Sequence, residues 1–194
     1  MSERLQKADE LQRKAHAVIE RLGLETIWAE VGRPVLVGSI RFGLISKPNI
    51  DYEIYTSVPR IAEGFSAIRR IAEAPGVTQI QYANFLESPD PGLYWRIDYL
   101  DDEGRTWDID CWLVPDDHPH AGVAEDLAKA MTRVLTDEAR ERILEIKDAV
   151  YGTLNTRGIE IYKAVLRDHV DSPEAFREWL ARNATGTDVD RWHP

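Results

Sequence analysis

Residues 35–55 read VLVGSIRFGLISKPNIDYEIY, in which a Gly-Ser pair, Gly38 and Ser39, is followed after eleven residues by two acids, Asp51 and Glu53. Residues 50–56 suit a strand, so Asp51, Glu53 and Tyr55 point one way and Tyr52 and Ile54 the other. Carboxylates two apart on a strand leave one face with their Cα atoms roughly 7 Å apart. Such a pair can bridge divalent ions about 4 Å apart, which would neutralise a triphosphate and hold an attacking oxygen in line with phosphorus. Mg2+ suits this task, with Mn2+ as a substitute, because it takes few protein carboxylates and completes its shell with phosphate and water. Gly38 lets backbone approach a phosphate, and the hydroxyl and amide of Ser39 can donate to it. A helix beginning here would add free amides, and Arg41 and Lys47 are cations able to meet phosphate oxygens.

The elements that must position these groups follow from periodicity. Leu5, Ala8, Leu11, Ala15, Val18, Ile19 and Leu22 recur at helical spacing, predicting a helix over 3–22 that ends at Gly23. A short helical piece over 24–31 precedes the break at Gly32, Arg33 and Pro34, and the apolar run Val35, Leu36, Val37 suits a buried strand. Pro59 is placed in a first helical turn, and Ile61, Phe65, Ile68 and Ala72 continue that helix to Pro75-Gly76. Strands are expected over 77–86, 93–100 and 106–114, the last two as a hairpin. A two-residue turn sets Tyr99 opposite Asp108; with Asp102 in the loop, Asp98 faces Asp108 instead. After residue 119 the pattern is helical to the end, with four helices expected. The chain thus divides into residues 1–115, a mixed α/β core with its N-terminal helix, and residues 116–194, a helical region.

The order apolar run, Gly38, Ser39, Asp51, Tyr52, Glu53, Ile54 resembles the signature of the DNA polymerase beta-type nucleotidyltransferase superfamily, and Arg41 and Gly43 match many small bacterial members. The resemblance is specific over 35–55, looser over 27–114, and does not reach the C-terminal helices. It implies an α+β fold, a nucleotidyltransferase-like mixed sheet flanked by helices with a C-terminal helical extension. It further implies that the Gly-Ser pair binds nucleotide phosphate, that Asp51 and Glu53 bind Mg2+, and that a third carboxylate on a later strand completes the metal site and accepts the proton of the attacking hydroxyl. WDIDCWLV offers Asp110, which directly precedes the apolar end of its strand as the family's third acid usually does, with Asp108 close behind and Asp98 if the register differs.

Each feature also has an ordinary reading. A Gly-Ser pair is a turn, and alternating acids are a solvated strand face. Asp101, Asp102 and Glu103 read as turn charges. His118 and His120 have metal-ligand spacing but, lacking further ligands, read as loop residues. Trp95, Trp107 and Trp112 can stack a base, but large aromatics in a β-rich segment usually fill the core, and Tyr162 and Trp179 on the helices read as packing residues for the same reason.

Composition bounds the function. Thirty-four acids against 24 bases give a formal charge of -10, which argues against broad nucleic-acid binding, since that normally needs a basic surface. Cys111 is the single cysteine, so no internal disulfide forms, and a reducing cytoplasmic setting is expected. The first residues lack a signal-peptide core and no run is long enough to cross a bilayer, so no membrane association is expected. The expected activity is metal-dependent transfer of a nucleoside monophosphate from a nucleoside triphosphate to a hydroxyl of a small molecule or protein, releasing pyrophosphate. The alternative is a catalytically inactive nucleotidyltransferase-fold binding or regulatory module, antitoxin-like.

Overall fold

Strand alternation dictates the central sheet. In the computed structural model, which describes residues 2–183 and 191–194, five strands lie in the order β1-β2-β5-β4-β3. They are β1 (Arg33–Val37), β2 (Asn49–Thr56), β3 (Val77–Asn84), β4 (Leu93–Leu100) and β5 (Thr106–Pro115). β2 and β5 run parallel; the other three pairings are antiparallel, so the sheet is mixed. The fold class is α+β, a mixed sheet flanked by helices. β3 stops at Asn84, two residues earlier than its apolar pattern suggests.

The chain forms two compact units that interleave along the sequence. Arg13–Gly38 with Lys47–Ala121 make a strand unit, and Met1–Gln12, Ser39–Ser46 and Gly122–Pro194 make a helical unit. Helix α1 (Glu3–Leu22) contributes to both.

In the strand unit one sheet face is apolar. Ile50, Tyr52, Ile54, Trp95, Ile97, Tyr99, Ile109, Cys111 and Leu113 are almost wholly buried on it. Helices α2 (Leu24–Trp28) and α3 (Ile61–Ala72) supply Trp28, Ala67, Ile68 and Ile71 to the same core. α3 approaches closely through Gly64, where a Cβ would stand 2.2 Å from the Trp95 ring. Pro59 lies outside α3, whose N-cap is the extended residue Arg60. The tight β4–β5 turn takes the longer of the two expected loops, so Asp98 pairs with Asp108. Its acids anchor the second half of α1: Lys14 bonds Glu103 at 2.6 Å, and Arg21 bonds Asp102. Asp101 closes the turn, accepting from the amides of Glu103 and Arg105 and from the Trp107 indole.

The helical unit comprises α4 (Val123–Val134), α5 (Asp137–Val150), α6 (Gly158–Leu166) and α7 (Pro173–Asn183), and the start of α1. Leu5, Ala8, Leu44, Met131, Ile143, Ile146, Val150, Ile161, Tyr162, Phe176 and Trp179 form its core. Thr136 caps α5 by accepting from the Ala139 amide. Lys147 is 1% exposed, donating to the Leu44 carbonyl at 2.6 Å and the Tyr162 hydroxyl at 3.0 Å. No helix among the described residues is long and apolar enough to cross a membrane.

Candidate active site

The polar face of the sheet carries the acids. Parallel pairing of β2 with β5 sets Asp51 beside Asp110, Asn49 beside Asp108 and Glu53 beside Trp112. Paired residues share a face, so Asp51, Glu53, Asp108 and Asp110 project together, all half-buried. The loop after β1 turns at Gly38, where φ is 75° and a Cβ would lie 2.5 Å from Asp51 Oδ2. A residue with a side chain would therefore be strained in its backbone and would intrude on the carboxylate.

The four acids differ in their partners. Asp110 is held at both oxygens: the Tyr94 hydroxyl donates to Oδ1 and the Asn49 amide to Oδ2 at 3.2 Å. Burial and then the bond to Asp110 push the Tyr94 phenol pKa up, so it remains a donor. Each Asp110 oxygen keeps a second lone pair for a cation. Asp108 instead accepts from Arg96 at 2.6 Å, while Arg96 also donates to Asp98 at 3.1 Å. Arg96 itself stands opposite Asp110 in the strand register, and Asp98 and Asp108 pair with each other one step further along. Glu53 accepts from the Tyr55 hydroxyl at 2.5 Å, and the Arg33 guanidinium lies 4.7 Å from the Tyr55 ring centre.

Thus the strand unit brings together Gly38, Asp51, Glu53 and Asp110, with Asp108 on the same face. Lys47 is an exposed residue of that unit just before β2. Ser39 and Arg41 belong to the helical unit, in the 3-10 turn Ser39–Phe42, which stands where sequence reasoning allowed a helix start.

Sequence reasoning missed Asn49, Tyr94 and Arg96. Alternation within LYWRIDYL does put Tyr94, Arg96 and Asp98 on one face, but which acid each meets depends on cross-strand register. Of the tryptophans, Trp95 and Trp107 are core. Trp112 is not: it sits on the acidic face, its ring 4.7 Å from Tyr94 and stacked on half-exposed Phe85 at 5.5 Å.

No family model and no curated protein matches the chain. Solved structures do. The GLD-2/RNP-8 complex aligns over 85% of this chain and 59% of its own, with a TM-score of 0.54 and 12% identity. Cid1 poly(U) polymerase bound to MgGTP aligns over 72% of this chain and 42% of its own, with a TM-score of 0.52 and 16% identity. A further Cid1 structure, described for its RNA terminal uridylyl transferase activity, gives 0.51 and 18%, covering 81% of this chain and 47% of its own. The fold is nucleotidyltransferase-like. At these identities the likeness is one of fold, and the chain spans about half the length of the structures it matches. In this nucleotidyltransferase-like sheet the carboxylates sit on two adjacent parallel strands, a placement that needs the whole β1–β5 topology.

Proposed function

We propose that the protein is a metal-dependent nucleotidyltransferase that moves a nucleoside monophosphate from a nucleoside triphosphate to an acceptor hydroxyl, releasing pyrophosphate. The observation that carries this reading is the register of Asp51 against Asp110, with Glu53 two residues along the same face. Three carboxylates offer only hard oxygen donors, and Gly38 leaves beside Asp51 the space that a Cβ would fill; both features fit Mg2+. Asp51, Glu53 and Asp110 would hold the cation, which when bound would offset the charge of the triphosphate. Asp110 takes the proton of the attacking hydroxyl, kept in orientation by Tyr94 and Asn49. Asp108 is the weaker choice for that role because Arg96 occupies it. Gly38 and Lys47 of the strand unit are the proposed phosphate-binding groups.

The proposed acceptor is a hydroxyl of a small molecule or protein, in keeping with the charge of -10. The fold neighbours favour a second acceptor, an RNA 3′ end, because Cid1 is described as a poly(U) polymerase. Labelled nucleoside triphosphates, Mg2+ or Mn2+ and a panel of small-molecule, protein and RNA acceptors test both. Transfer by the intact protein that is lost in Asp51→Ala and in Asp110→Asn is the expected result. Equal transfer by intact and variant proteins overturns the mechanism, and absence of nucleotide-dependent thermal stabilisation with any metal favours the inactive binding module.

A further inference from the structure

We infer that Asp90, His118 and His120 form a binding site for zinc or a similar borderline divalent ion, separate from the carboxylates of β2 and β5. One ligand atom from each residue lies within 4.8 Å of the other two. His118 Nε2 is 3.0 Å and His120 Nδ1 3.1 Å from the same oxygen, Asp90 Oδ1. Two backbone turns shape the segment that carries the imidazoles: the His118 amide donates to the Pro115 carbonyl at 3.0 Å, and the Ala121 amide to the His118 carbonyl at 2.9 Å. Pro119 between them fixes φ, and the rings stand 5.3 Å apart, centre to centre. Asp90 reaches them from the loop between β3 and β4.

Donor chemistry selects the ion. Two imidazoles and one carboxylate, with a fourth position left for water, match zinc. Mg2+ prefers an all-oxygen shell, so the cation proposed for Asp51, Glu53 and Asp110 is of a different class.

The protons also have places to go. The His120 amide donates to His118 Nδ1 at 3.2 Å, which leaves the proton of the neutral ring on Nε2, aimed at Asp90. Zinc at Nε2 moves that proton to Nδ1 and forfeits this one long turn bond; His120 likewise shifts its proton to Nε2. An occupied site ties the loop that begins at Phe85 to the end of β5, and Phe85 stacks on Trp112 beside Glu53. The ion thereby steadies the aromatic border of the acidic face.

The test is calorimetric titration of the EDTA-stripped full chain with zinc chloride, with Co2+ absorption spectra to report nitrogen ligation. The expected result is one zinc per chain, undisturbed by excess Mg2+ and retained in His16→Ala, an exposed control, and in Asp51→Ala. His120→Ala and Asp90→Asn should each weaken binding by at least about tenfold. His118→Ala should do the same; should it fail to fold, the other two variants, which alter more exposed side chains, still decide. No stoichiometric binding by the intact chain, equal affinity in His120→Ala, or loss of the zinc in Asp51→Ala overturns the assignment. None of these outcomes depends on nucleotidyl transfer.

Discussion

At the scale of single residues, Gly38 and Tyr94 show how little slack the acidic face has. Gly38→Ala places a methyl group 2.5 Å from Asp51 Oδ2 on a backbone with φ of 75°. We expect a loss of about 1 kcal/mol from the left-handed backbone alone, and a fall in transfer of order 100-fold from displacement of the carboxylate. Urea unfolding and turnover, measured on the same preparation, separate the two. Tyr94→Phe keeps the ring against Trp112 and removes only the donor to Asp110. Its kcat/KM should drop about five- to tenfold, the worth of roughly one hydrogen bond, with a near-native melting temperature. An unchanged kcat/KM would mean that Asn49 alone orients Asp110.

At the scale of elements, the β4–β5 turn governs the register on which the site depends. Burial works against the Asp101 carboxylate, but the Trp107 indole and the amides of Arg105 and Glu103 outweigh it and lower its pKa. A lowered folded-state pKa contributes stability above the unfolded value, 3.8, and that contribution is lost as pH falls through the folded value. Asp101→Asn should therefore cost about 1 kcal/mol at pH 7, and the gap from the intact protein should close in strong acid. Melting curves across that range check it; a gap that persists in acid would show that the effect is not ionic. The short second helix, expected over 24–31, stops at Trp28; the strands, their polar faces, the bounds of α1 and the existence of the later helices were legible in the sequence because alternation and helical spacing are local. The partners of Asp108 and Asp110 were not, because a shift of one residue in the turn exchanges every cross-strand neighbour.

At the scale of the molecule, the charge of -10 and the described fold neighbours pull in different directions on the acceptor. RNA binding needs cations to displace counterions, and affinity then falls steeply with salt. Anisotropy of a labelled single-stranded RNA with this chain should show weak binding even at low ionic strength, and none at physiological salt. Tight, strongly salt-dependent binding would instead make an RNA 3′ end the acceptor to pursue. The buried Lys147, bonded to Leu44 and Tyr162, lies within the helical unit and serves to hold it.

The sequence by itself determined the elements, the Gly38-Ser39 turn, the alternation that puts Asp51 with Glu53 and Asp108 with Asp110, and the α+β class, since each rests on contacts between near neighbours in the chain. Only the tertiary structure decided that Asp110 stands beside Asp51, that Asp108 is taken by Arg96, and that Asp90 meets His118 and His120. Those three outcomes depend on which strands pair and in what register, and pairing is set by burial of the whole apolar face, a property that no local run of residues contains.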